Sequence, residues 1–362
     1  MFAIAAQFGS TVPVIVDAPE PSPPGPGQVL CRTLELGVCG TDREILLSAH
    51  PAVPDGAQHL ILGHECLARI EEVGPEVQDY SVGDLVVPAV RRASGKFPHR
   101  VDMLAFGCFV ERGIWHEHGF SAPWWLDRPE HLFRVDPAIR RVAVLAEPLA
   151  VAEKGINEAT VVQRARLGDQ AWTDPPPRVL VTGLGPIGFA AVIACRCRNW
   201  PVAMFGRDPD SSYRAQLAVS FGATYLPASA LSLDPPDVER YGFDLILECT
   251  GSDEVMLRSA RSLASRGVLV WLGSTRQPEA KSLNVEQLMR DAILRNHIHL
   301  GTVNSAPRDF VEALKHLGRL WKSQPDELES LITARVAPPD SLWHYEHRQP
   351  QGIKTVLEYD ES

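Results

Sequence analysis

Short runs of aliphatic and β-branched residues, broken by Gly and Pro, fill positions 1 to about 150: VPVIVD, QVLCRTLELG, ILGHECLARIEEVG and VGDLVVPAV. This pattern predicts an irregular β-rich region with little helix. The segment from Ala146 to Ala159, AEPLAVAEKGINEA, then changes to a helical composition, and WTDPPPR at 172–178 punctuates the chain before a new strand.

From Arg178 onward strand and helix patterns alternate. RVLVTG precedes the helical IGFAAVIACRCR, PVAMFG precedes SSYRAQLAVSFGA, FDLILECTG precedes EVMLRSARSLAS, and RGVLVWLG closes the series. Strands separated by helix-length segments require crossover connections, so a doubly wound α/β domain with a parallel sheet is expected here. After Thr302 come a helix, RDFVEALKHLGRL, and a terminal strand, IKTVLEY, which is expected to return to the first domain. The expected organisation is a β-rich domain over 1–155 and 305–362 and a dinucleotide-binding domain over 156–304.

Composition narrows the function. With 362 residues the chain exceeds what one hydrophobic core organises, and 45% hydrophobic with 22% charged residues is ordinary globular chemistry. A net charge of -10 works against nucleic acid and anionic membranes, which leaves a small molecule as the expected partner. The seven cysteines lack C-x-x-C spacing and form no disulfide framework. No basic leader and no long apolar run occurs, so the protein is expected in the cytoplasm.

Gly183-Leu184-Gly185-Pro186-Ile187-Gly188 fits G-x-G-x-x-G after a strand and at the head of a helix, the context that gives the motif its meaning. The first glycine permits the turn, the second admits the pyrophosphate, and the third allows the helix to pack on the strand. A dinucleotide is therefore expected, and the bland alternative is a glycine-rich turn that binds nothing. At the end of the second strand Gly206, Arg207 and Asp208 stand where the adenosine ribose should lie. Arg207 suits a 2′-phosphate, Asp208 suits free ribose hydroxyls, and the two together also fit a solvated surface pair. The reading favours NADP, with NAD use alongside.

Three short motifs carry the remaining chemistry: Cys39 and Thr41 in GVCGTD, His64 and Glu65 in LGHE, and Glu147 in AEP. Each alone fits an ordinary buried thiol, a satisfied imidazole or a solvated acid. Joined in this order to a dinucleotide domain, they resemble the zinc-dependent medium-chain dehydrogenase/reductase family. VVPAVRR, VERGIWHEHGF and GTVN are similar to segments of its archaeal-type glucose dehydrogenase branch. The resemblance spans nearly the whole chain and implies that the first domain is GroES-like.

It further implies a catalytic zinc held by Cys39 and His64, with Glu65 and Glu147 as direct or water-mediated ligands. Thiolate, imidazole and carboxylate suit zinc, and three protein ligands leave a position open. Neighbouring His64 and Glu65 would point to opposite faces of a regular strand, so both reach one metal only where the chain turns. That consideration ranks Cys39, His64 and Glu147 above a permanent Glu65 bond. By the same resemblance Thr41 relays a proton, Glu111, Glu147 and Asn304 contact a sugar, and the cofactor also meets Thr250, Gly251, Leu272, Gly273, Thr302 and Asn304. Without it, Glu111 reads as a surface acid and Asn304 and Thr41 as turn residues.

The chain departs from the broader family in one respect. Arg91 to Gly119 contains only Cys108, so a four-cysteine structural zinc cannot be built there, and packing or a subunit contact is expected to hold the segment. Adjacent Trp124 and Trp125 are expected in core or interface packing rather than as a sugar-stacking wall. The activity implied is oxidation of an aldose at C1 to a lactone, in a homodimer or homotetramer. The alternatives are a zinc-dependent polyol or secondary-alcohol dehydrogenase, a zinc-free reductase, and a noncatalytic dinucleotide sensor.

Overall fold

The computed structural model describes residues 1–97, 100–228, 238–273 and 285–359. They form two compact units, one of residues 1–150 and 304–362, the other of residues 151–303. The first border thus falls within the helix Ala146–Leu167, a few residues before the expected 155, and Asn304 belongs to the first unit instead of the second. Alanine-rich helix runs unbroken through this point, which leaves the sequence without a boundary signal.

In the first unit, strand Val29–Val38 organises the largest sheet. Its neighbours are Glu65–Val73, Trp124–Asp127 and, from the chain end, Lys354–Glu358, all antiparallel to it. Leu132–Arg134 and Leu85–Pro88 extend the sheet on one side and Ile332–Val336 on the other. A strand at the centre of the sheet is withdrawn from water along its length, and the run VLCRTLELGV is nearly all buried. Leu36, Val38, Leu60, Ile70, Phe120, Trp125 and Leu357 meet in its core. The terminal segment IKTVLEY accordingly returns to this unit as expected.

Thr33 and Glu35 are the buried polar residues of that strand, and Thr33 is held by hydrogen bonds rather than by charge. It is fully buried, donates to the Ala122 carbonyl at 2.7 Å and accepts from Trp125 Nε1 at 3.0 Å. Trp125 is a core residue packed at a tilt against Phe120, with ring centroids 4.6 Å apart, whereas half-buried Trp124 lies beside the Arg32 guanidinium.

The second unit is a parallel sheet in the order Thr224–Pro227, Val202–Gly206, Val179–Thr182, Phe243–Glu248, Leu263–Trp271 and Ile298–Gly301. The order reverses beside Val179–Thr182, the switch point at which doubly wound sheets bind nucleotides. Both edge strands escape the sequence pattern because each is four residues long and only partly buried, without an apolar run to mark it. The helix expected over 254–265 ends at Arg261, since fully buried Leu263 pairs with Phe243 and opens the next strand. Among the described residues no helix is long and apolar enough to cross a membrane.

Replacing Thr33 by Val keeps the volume but strands the buried Trp125 N–H. Urea unfolding of Thr33→Val is expected to show a loss of about 1–3 kcal/mol, the cost of one unsatisfied buried donor. A midpoint equal to that of the parent chain would contradict this.

Candidate active site

The ligand cluster grows from the ends of two neighbouring strands. Strand Val29–Val38 runs into Cys39, which heads the helix Gly40–Ser48. Asp42, three residues on, accepts from the Cys39 backbone N–H at 2.8 Å and so fixes the turn that aims the thiol. Across the sheet the chain turns at Gly63, with φ of 89°, and regular strand begins only at Glu65. The alternation that would send His64 and Glu65 to opposite faces is thereby broken. Cys39 Sγ, a His64 ring nitrogen and a Glu65 carboxylate oxygen all lie within 4.8 Å of one another.

Buried groups orient these side chains. His64 Nδ1 faces Asp42 Oδ1 at 3.5 Å, and neither atom has a hydrogen-bond partner, which leaves Nε2 as the imidazole donor. Burial lowers the His64 pKa, but Cys39 and Asp42 outweigh it and hold the group well above the usual histidine value. Burial raises Asp42, and His64 reverses the effect so that the acid lies below the usual range. Glu65 Oε2 is engaged by Lys354 Nζ at 2.5 Å, both side chains being 1% exposed. A Cβ on Gly37 would stand 2.2 Å from that same Oε2, so the neighbouring strand must carry glycine there.

Glu147, at the first turn of its helix, lies outside the tight group of three. Its carboxyl is pushed up to about 7 by burial and by Glu65, against the pull of His64. Glu65 thus shares the tight group with Cys39 and His64, while Glu147 stands outside it. Thr41 is half-buried in the first turn of the Gly40–Ser48 helix, and no described residue bonds its hydroxyl. The donor set fits zinc: one thiol, one imidazole and one carboxylate, converging with a second carboxylate nearby.

Glu111 and Asn304 also meet. Asn304 Nδ2 donates to Glu111 Oε1 at 2.8 Å, and Arg91 pairs with the same oxygen at 2.9 Å. Glu111 is thus a buried acid with partners, not a solvated surface carboxylate.

In the second unit the glycine turn has the form its motif requires. Gly183 has φ of 97°, and a Cβ on Gly188 would stand 2.0 Å from the Gly183 carbonyl oxygen. A Cβ on Gly185 would meet nothing within 4 Å, which leaves open space at the head of the helix Pro186–Cys197 for a pyrophosphate. Leu184 is buried against Gly206, and Ile187 continues the same helix. Thr250 and Gly251, Leu272 and Gly273, and Thr302 each follow the carboxyl end of a parallel strand. Arg207 is exposed with no partner among the described residues, whereas Asp208 is gripped by Arg214 at 2.9 and 2.8 Å.

Glu248 went unnoticed in the sequence and ties this crevice together. It is fully buried and accepts from Thr182 Oγ1 at 3.2 Å, Thr250 N–H at 2.8 Å, the Thr250 hydroxyl and Gly251 N–H at 3.2 Å. The i to i+3 spacing from Cys39 to Asp42 is a capping signal that was readable. Lys354, Arg91, Arg214 and Glu248 carry no comparable local mark.

Two family models match the chain, "Glucose dehydrogenase C-terminus" over residues 140–359 and "Alcohol dehydrogenase GroES-like domain" over residues 25–122. A glucose 1-dehydrogenase of Thermoproteus tenax is 38% identical over 343 residues, covering 94% of each chain. Another, glucose 1-dehydrogenase 1 of Caldivirga maquilingensis, is 36% identical over 95% of this chain and 93% of its own. The solved Haloferax mediterranei glucose dehydrogenase, in complex with NADP, Zn and gluconolactone, superposes with a TM-score of 0.87 at 28% identity, covering 100% of both chains. Matches of this identity and coverage place the chain in the zinc-dependent medium-chain dehydrogenase/reductase family, in its archaeal-type glucose dehydrogenase branch.

Proposed function

We propose that the protein oxidises glucose, or a close aldose, at C1 and passes a hydride to NADP, yielding the lactone. The observation that carries this reading is the convergence of Cys39, His64 and Glu65 donors in a chain whose relatives are glucose 1-dehydrogenases. One zinc per chain would be held by Cys39 and His64 with a carboxylate of Glu65 or Glu147. When bound, zinc supplies Lewis acidity to the substrate hydroxyl and the nicotinamide ring supplies the hydride acceptor.

The chain's own residues do the rest. Asp42 orients His64, and Lys354 holds Glu65 by one oxygen, so the site is ordered before ligands arrive. As C1 loses hydride, the hydroxyl loses its proton and C1–O becomes the lactone carbonyl. Thr41 Oγ1 accepts that proton while passing its own on to solvent, a role suited to a hydroxyl that no described residue bonds. Glu111 and Asn304 bond sugar hydroxyls. Arg207 meets the 2′-phosphate of NADP, and Asp208, already held by Arg214, is not free to claim the ribose in its place.

Metal analysis of the purified protein, with NADP and NAD reduction followed over aldoses, polyols and simple alcohols, tests the reading. About one zinc with glucose-dependent NADP reduction is expected. Turnover of alcohols but no aldose would replace the substrate, and cofactor binding without metal or turnover would leave a noncatalytic sensor.

Two variants separate the roles. Thr41→Ala is expected to lower kcat by about a hundredfold or more, the scale of a lost proton-transfer group, at unchanged zinc content. Undiminished turnover would remove Thr41 from the relay. Arg207→Ala is expected to cut kcat/KM for NADP by about ten- to a hundredfold, the worth of one charge-assisted phosphate contact, with little change for NAD. Equal losses with both cofactors would show that Arg207 does not read the phosphate.

A further inference from the structure

Two short strands of the first unit, Arg91–Ala93 and Phe109–Arg112, are tied together by charge. Arg91–Ala93 pairs antiparallel with Phe109–Arg112, and Arg91 stands directly opposite Glu111 in that register. Cross-strand neighbours of opposite charge meet on one face of the ribbon. Arg91 is 5% exposed and Glu111 8%, so both charges are largely withdrawn from water and each depends on the other.

The way the pairing is met is asymmetric. Arg91 Nε and Nη2 both address Glu111 Oε1, at 3.0 and 2.9 Å, and Asn304 Nδ2 reaches the same oxygen at 2.8 Å. Arg91 Nη1 donates to the Asp102 carbonyl at 3.2 Å, and the guanidinium lies over the Phe109 ring, 3.8 Å from its centroid. Backbone, ring and carboxylate together fix the cation. Asn304 is fixed too, since its Oδ1 accepts from the Ser305 N–H at 2.8 Å. Three donors therefore converge on Oε1, while no described residue bonds Oε2. A carboxylate oxygen has capacity for about two hydrogen bonds, so the occupied oxygen is saturated and the other is an acceptor awaiting a donor.

We propose that Arg91 is a positioning residue for sugar recognition: by clamping Oε1 of Glu111 it presents Oε2 as a fixed acceptor for one sugar hydroxyl. The inference rests on the reading that Glu111 touches the sugar, and it adds the group that aims it. A guanidinium is needed because its planar fork reaches Oε1 and the Asp102 carbonyl at once; an ammonium of equal charge is a point donor on a flexible stem.

The test uses the zinc-loaded enzyme with glucose and the set of monodeoxyglucoses that keep C1. Wild type is expected to discriminate against the analogue lacking the recognised hydroxyl by about tenfold or more, because the acceptor then has no partner. Arg91→Lys is expected to raise KM for glucose about tenfold with a smaller change in kcat, and to flatten that discrimination, at unchanged zinc content and KM for NADP. Combined with Glu111→Gln, which itself raises KM, the lysine change is expected to add less than about twofold, since both act through one oxygen.

An Arg91→Lys enzyme with wild-type KM and wild-type discrimination, beside a Glu111→Gln enzyme that has lost both, overturns the inference and leaves the function standing. A lysine effect undiminished in the Glu111→Gln background also overturns it, marking Arg91 as merely structural. Unaltered glucose kinetics in Glu111→Gln, or a wild type that ignores glucose, removes the underlying reading and the inference with it. Arg91→Gln, which keeps a donor without the charge, carries the same comparison if the lysine variant does not fold.

Discussion

Burying an acid and a base is tolerable only if they find each other, and the pair formed by Glu65 and Lys354 governs how the first unit closes. Each side chain is 1% exposed, and transfer of such ions from water costs several kcal/mol apiece before pairing. The compensation comes from a contact of 2.5 Å between residues 289 positions apart. The chain end must therefore come back as a strand beside Val29–Val38, whose Gly37 leaves room for the acid. Loss of either partner would leave an uncompensated buried charge, a penalty of about 3–5 kcal/mol. Lys354 also donates to the Val38 carbonyl at 3.3 Å, which joins this pair to the turn that carries Cys39.

The second unit solves a related problem with a single carboxylate. No cation among the described residues pairs with buried Glu248, and hydroxyl and backbone donors fill its oxygens. Those donors lie at the carboxyl ends of the two neighbouring strands Val179–Thr182 and Phe243–Glu248, so one side chain sets the spacing of the loops beside the glycine turn. Both units thus place a satisfied buried acid next to the groups that have chemistry to do. Order around the site follows from the cost of leaving such acids unpaired.

What was legible in the sequence is what has a local signature. The glycine turn announces itself because backbone sterics demand glycine at fixed spacing, and the alternating strands and helices beside it show through their periodicity. Cys39, His64, Glu65 and Glu147 acquire meaning only as a set, and the set was read through resemblance. Alternation in a regular strand allows His64 and Glu65 to reach one metal only where the chain turns, and the turn at Gly63, which the strand pattern does not announce, meets that condition. Partners held by long-range pairing left no trace, because nothing near Lys354 or Arg91 in sequence says which acid each will meet. The short edge strands were hidden for a different reason, their partial burial erasing the hydrophobic pattern.

The grip of Arg214 on Asp208 bears on how cofactor choice could change over evolutionary time. A chain that reads ribose hydroxyls needs a free carboxylate at this strand end, and Asp208 is already there but occupied on both oxygens. Neutralising Arg207 alone removes a cation and supplies no acceptor. On the reading proposed above, freeing Asp208 alone would bring a carboxylate toward a phosphate that Arg207 still attracts. The two changes are thus epistatic, and the path between cofactors crosses an intermediate that serves neither well. If Arg207 reads the phosphate as proposed, a lineage carrying this pair is held to its cofactor by the order in which mutations would have to arrive.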